Sequence, residues 1–285
     1  MKRTLGHSAV PFAAALAAML LGAGCGSGQG VTTSTPAAAS ASVTPSPTPT
    51  PSATLTPTLS PSLLPATGAL EPGAYYVPVG VDDAQDRLAD PALRFTFTVP
   101  EGWATAEGGG FVYRESSRRP RDPYAGPGEV LLTYWTVSHV YTDACHHEAT
   151  LVDAGTTTDE LASLLVAQKG RVASAATDVT LGGFPAKRIE LTVPAHLDVT
   201  KCDGGFIRFW PDPGPDESGG LCCTAVGSTD VVYVVDVAGN RFAVVARHQA
   251  SSSAEELAEL QAIVASIMIE PPATSPSPSG ASPSP

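Results

Sequence analysis

Apolar and polar residues alternate in several short runs of this chain, and each run predicts a strand. In Arg94-Phe95-Thr96-Phe97-Thr98-Val99 the apolar side chains fall on one face, as a half-buried strand requires. Residues 75–79 and 110–114 are shorter candidates. Residues 130–141 read as one long strand, with Leu131, Trp135, Val137 and Tyr141 on one side. Residues 178–181 and 184–193 flank Gly182-Gly183, a two-residue hairpin signal. Residues 206–210 form another short strand, and 230–237 and 241–248 are apolar strands joined by Ala238-Gly239-Asn240.

Two helices interrupt the strands. Thr157-Thr158-Asp159-Glu160 has the form of a capping box, followed by an apolar stripe of Leu161, Leu164 and Leu165 and a stop at Gly170. Ser253-Ala254-Glu255-Glu256 is a second capping box, with Leu257, Leu260, Val264 and Ile267 at helical spacing. Strands, helix, hairpin, strands and helix in that order predict an α+β domain, an antiparallel sheet covered by helices. A nucleotide-binding α/β fold needs a glycine-rich loop entering a helix, and this chain has none.

The N-terminus is a different kind of segment. Lys2 and Arg3 precede an apolar run over residues 9–21. The run falls short of the roughly 20 residues of a membrane-spanning helix and suits the core of an export signal. It closes on Leu20-Leu21-Gly22-Ala23-Gly24-Cys25, which resembles the bacterial lipobox, although Gly22 stands where that motif usually has Leu, Val or Ile. The resemblance implies cleavage before Cys25, acylation of its sulfur, and anchoring at the outer face of the cell membrane.

Charge divides the chain beyond Cys25. No Asp, Glu, Lys or Arg occurs in residues 26–70 or 271–285. The intervening segment carries 14 basic and 28 acidic residues, the wrong balance for a nucleic-acid face. Residues 31–67 are Thr, Ser, Pro and Ala with few large apolar groups, a composition expected to stay unfolded and extended. As a polyproline-type arm it reaches about 110 Å, and its Ser/Thr/Pro tracts are candidates for O-glycosylation. The expected organisation is a signal peptide over 1–24, an anchor and linker over 25–70, one domain over 71–270, and a Pro/Ser tail over 271–285.

The run Phe95-Thr96-Phe97-Thr98-Val99-Pro100-Glu101-Gly102-Trp103, with the later Val179-Thr180-Leu181-Gly182-Gly183-Phe184-Pro185-Ala186-Lys187 and a terminal helix, resembles secreted actinobacterial lipoproteins of the Mog1/PsbP-like type, the LpqN-like proteins among them. That resemblance implies a curved antiparallel sheet between helices and a binding or assembly role. It carries over no set of functional residues.

Four cysteines lie beyond the anchor, namely Cys145, Cys202, Cys222 and Cys223, and an even number in an exported domain predicts disulfides. Ring strain disfavours a bond between neighbours, which would pair Cys222 and Cys223 with Cys145 and Cys202. The family resemblance implies instead a Cys145–Cys202 bond, leaving the vicinal pair joined together or free. The rival is a metal or redox module using Cys145, His146, His147, Cys222 and Cys223, with His139 near. Three consecutive residues on a strand cannot all face one ion, and neither Cys-x-x-Cys nor His-Glu-x-x-His is present.

Catalytic signatures are lacking. There is no Gly-x-Ser-x-Gly elbow, and the acidic pairs Asp82-Asp83 and Asp216-Glu217 sit in turn-rich stretches. His196 and His248 stand singly near strand ends. Arg114, Arg118, Arg119 and Arg121 concentrate cationic charge in one loop of an acidic domain, a candidate contact for phosphate or carboxylate groups of a wall polymer. The expected function is therefore a non-enzymatic, cofactor-free envelope lipoprotein that binds a wall polymer, a lipid or an envelope protein. The alternatives are the metal or redox module and an enzyme whose site has no recognised motif.

Overall fold

A computed structural model describes residues 60–77, 93–106, 108–117, 129–148, 150–211 and 220–270, all within the compact unit Thr56–Pro285. In chain order the strands are β1 (Ser62–Leu63), β2 (Gly68–Ala69), β3 (Gly73–Tyr76), β4 (Arg94–Val99), β5 (Trp103–Ala106), β6 (Phe111–Arg114), β7 (Val130–Trp135), β8 (His139–Tyr141) and β9 (Leu151–Asp153). Helix α1 (Thr158–Ala167) comes next, then β10 (Val172–Ala173), β11 (Thr177–Leu181), β12 (Phe184–Thr192), β13 (Arg208–Trp210), β14 (Leu221–Cys222), β15 (Thr229–Val237) and β16 (Asn240–His248). Helix α2 (Ala254–Ala265) and β17 (Met268–Glu270) come last.

An open antiparallel sheet runs β10-β12-β15-β16-β7-β6-β5-β2, with β11 also paired to β12. Its centre is the β15–β16 hairpin, in register over nine residues. Ala238 and Gly239 turn it with φ of 54° and 89°, the left-handed pair that matches strand twist in a two-residue loop. A second sheet runs β1-β3-β4-β17, in which only the β1–β3 pairing is parallel.

Strand periodicity splits the core in two. Val235, Val237, Phe242 and Val244 face one side, where they pack with Phe95, Phe97, Leu260 and Ile263. Val232, Val234, Val245, Ile189 and Leu191 face the other, against Leu161, Ala162 and Leu165 of α1 and Phe209 and Trp210 of β13. Both helices begin with complete capping boxes, at Thr157 with Glu160 and at Ser253 with Glu256. Helix α1 stops before Gly170 because Gln168 leaves the helix in an extended conformation. Its side-chain amide donates to Tyr141 O at 2.6 Å and Phe209 O at 2.8 Å.

Three features differ from the sequence-based expectations. Residues 130–141 are two strands, not one. The β7–β16 ladder ends at Trp135 opposite Ala243; beyond it the Arg241 side chain donates to Val137 O at 2.7 Å, and β8 pairs with β9 instead. Ordered pairing also starts before residue 71. Leu64 N donates to Tyr76 O and Leu70 N to Trp103 O, both at 2.8 Å, and both leucines are buried. The Pro/Ser/Thr composition of the arm masked these few apolar anchors. Finally, β5, β9 and β17 carry no clear alternation; β17 is held by Ile269 N donating to Gly182 O at 3.3 Å. A Cβ at Gly182 would stand 2.5 Å from Ile269, and its φ is 59°, so this turn position requires glycine.

Candidate binding cleft and the cysteine–histidine region

Helix α2 packs on β7, β4 and β16. On that face it leaves β12, β15 and the β11 edge without a helical cover, and a cleft of about 540 Å³ opens there. Its lining interleaves apolar side chains, among them Val179, Leu181, Val231, Ala246, Leu257 and Val264, with the polar Arg188, Glu190, Tyr233, His248 and Gln261. Period-2 geometry explains which residues of β12 reach the cleft: Arg188 and Glu190 share the α2 side with Ala186, while Ile189 and Leu191 enter the α1-side core.

Arg188 and Tyr233 are directly opposed across β12 and β15. Burial opposes the charge of the Arg188 guanidinium, but hydrogen bonds to Glu190 and Tyr233 outweigh it and raise its pKa. The ion pair with Glu190 is partly open to solvent, the side chains being 33% and 47% exposed. The cleft thus presents donors and acceptors beside an apolar surface, with its strongest cation already compensated. Its size falls within the range of small-molecule sites, roughly 300–1,000 Å³.

The structure distributes the sequence-derived candidates differently. Arg114 turns toward α2, where its guanidinium pairs with Glu259, which also accepts from Trp103 Nε1 at 3.0 Å. This contact ties β5 and β6 to the helix. Arg118, Arg119, Arg121 and the anchor Cys25 lie outside the described residues, as do Asp82, Asp83, Asp216 and Glu217.

Cys145 and Cys202 are bonded, with Cα atoms 4.5 Å apart, and both are buried. The flanking histidines serve the same junction. His147 Nε2 donates to Asp203 O at 3.0 Å, and its ring lies between Tyr141 and Phe206. His146 Nδ1 stands 3.5 Å from Asp203 Oδ1. The Asp203 carboxylate is held below its usual pKa chiefly by the Glu148 N–H it accepts. Cys222 and Cys223 are bonded to each other. Among the described residues no group of three or more His, Cys, Asp or Glu is placed to share a metal ion.

Of the singled-out histidines, His196 is exposed and His248 lines the cleft. The other polar residues of the cleft were not distinguished in the sequence. A signal existed in the parity of 184–193: Arg188 and Glu190 occupy alternate positions on one face of a strand flanked on both sides.

No family model matches the chain, and no curated protein matches its sequence. Solved structures similar to it include the following two. One is LpqN, involved in cell envelope biogenesis of Mycobacterium tuberculosis, at 15% identity and a TM-score of 0.35, covering 64% of this chain and 87% of that one. The other is the solution structure of cyanobacterial PsbP (CyanoP) from Synechocystis sp. PCC 6803, at 16% identity and a TM-score of 0.31, covering 71% and 95%. At these scores neither likeness decides what this chain does.

Proposed function

We propose that this protein is a non-catalytic binding module of the cell envelope, lipid-anchored through Cys25, whose domain holds a small amphiphilic molecule in the cleft beside α2. The observation that carries the reading is the mixed lining: Val179, Val231, Leu257 and Val264 offer apolar surface, and Arg188, Tyr233 and His248 offer polar contacts beside it. An aliphatic or ring portion of the ligand would lie on the apolar side chains, with its polar group at Arg188, Tyr233 or His248. The export signal, the Cys25 motif and the charge-free arm support work at the outer face of the membrane. The missing catalytic motifs support binding rather than turnover.

The test uses the mature chain with Cys25→Ser, so that no attached lipid competes, titrated with dansyl-labelled undecanoic acid. Saturable fluorescence enhancement is expected, weakened at least roughly tenfold by Val231→Trp, which adds bulk from β15, and by Gln261→Trp, which adds it from α2. Near-UV circular dichroism verifies that both variants stay folded. Binding that is absent, or equal in folded wild type and both variants, overturns the cleft as the site.

A further inference from the structure

The two disulfides differ in what they contribute. Cys145–Cys202 joins residues 57 apart and is buried, so it restricts the unfolded chain. Cys222 and Cys223 are neighbours, and a bond between neighbours closes no loop of consequence. Chain entropy gives it no stabilising role. This bond is also the more open, since both residues are half-buried.

Its surroundings favour reactivity. Cys222 lies directly opposite Arg208 across β13 and β14, and the Arg208 guanidinium lies over the Phe206 ring, 5.3 Å from its centroid. Cys223 has φ of 61°, a conformation that a non-glycine residue adopts rarely, and its N–H donates to Ile207 O at 2.8 Å. Neither cysteine lines the cleft, so the site stands apart from the proposed ligand.

We propose that Cys222–Cys223 is a thiol–disulfide exchange site, opened by an external dithiol and closed again by a partner disulfide. A thiolate of the dithiol attacks one Sγ, the Cys222–Cys223 bond breaks, and a mixed disulfide forms. The second thiolate of the reductant then displaces the cysteine sulfur. Two electrons pass to the pair, each cysteine ends as a thiol with one proton, and the reductant leaves as its cyclic disulfide. The reverse exchange restores the bond. In the oxidising compartment expected from the export signal, the disulfide is the resting form. Opening releases the left-handed turn at Cys223 and loosens β14 from β13, while the large sheet stays intact.

Graded dithiothreitol applied to the mature Cys25→Ser chain, followed by alkylation and peptide mass spectrometry, tests this. Cys222 and Cys223 are expected to label together at dithiol concentrations at least roughly tenfold below those that open Cys145–Cys202. The near-UV spectrum should be retained, and oxidised glutathione should reverse the labelling. A Cys222→Ser/Cys223→Ser chain should release no thiol in that low range. Simultaneous opening of both bridges overturns the proposal. So does labelling of Cys222 and Cys223 before any reductant is added, or their opening only in denaturant.

Discussion

Arg247 Nε donates to Asp230 Oδ1 at 2.7 Å between directly opposed residues of β15 and β16, each side chain only 1% exposed. Arg171 Nη1 stands 3.6 Å from the other oxygen of Asp230 and its guanidinium lies 3.9 Å from the Phe209 ring centroid. Burial lowers the Arg171 pKa to about 9. One carboxylate therefore faces two buried guanidiniums at the junction of α1, β13 and the sheet. Asp230→Ala would leave both cations without it, at a cost of about 3–5 kcal/mol. Urea denaturation measures this, and a loss under about 1 kcal/mol would mean that the cluster rearranges without cost.

The Arg114 contact makes a prediction about binding as well as stability. Its side chain and that of Glu259 are each 21% exposed, so solvent screens part of the attraction. Arg114→Ala should cost about 1–2 kcal/mol in a thermal or chemical melt and leave retention on envelope fractions unchanged. Lost retention at unchanged stability would make Arg114 a ligand contact instead.

The Cys145–Cys202 bridge should behave as a staple. With its ends 57 residues apart in sequence, the chain-entropy relation gives about 4 kcal/mol. Replacing both cysteines by serine is expected to lower the denaturation midpoint accordingly. A double variant as stable as wild type would show that the junction at Asp203 and His147 is sufficient.

Glu160 supplies a pH dependence of known sign. Its carboxylate accepts the Thr157 and Thr156 N–H groups at 2.9 and 2.8 Å and the Thr157 hydroxyl at 3.0 Å. Those bonds, the Thr157 N–H foremost, hold its pKa below 4.5. A depressed carboxylate contributes stability that is complete above the unfolded pKa and lost as pH falls through the folded one. Thermal melts of wild type and Glu160→Gln should therefore differ at neutral pH and converge in acid as pH falls through the lowered folded-state pKa of Glu160. A gap independent of pH would assign the effect to packing.

The anchor is tested in the producing cell. Cys25→Ala should abolish incorporation of labelled fatty acid and move the protein from the membrane fraction to the medium. Retention in the membrane without the label would mean that another segment holds it.

Local signals in the sequence determined much of this molecule. The alternation at Arg94–Val99, the glycine pair at 182–183 and both capping boxes each rest on interactions within a few residues, and each appears where the pattern placed it. The α+β class arises from their order. Long-range contacts decided the rest. Residues 136–138 leave the sheet because the side chain of Arg241, far along the chain, takes the Val137 carbonyl. Leu64 and Leu70 join the core because Tyr76 and Trp103 accept their amides. Tertiary structure alone revealed the cleft, because Arg188 and Tyr233 become neighbours only when β12 meets β15 and α2 covers one half of the face. Composition and periodicity record each residue's own preference for water; which partner fills or leaves a surface depends on the packing of elements distant in sequence.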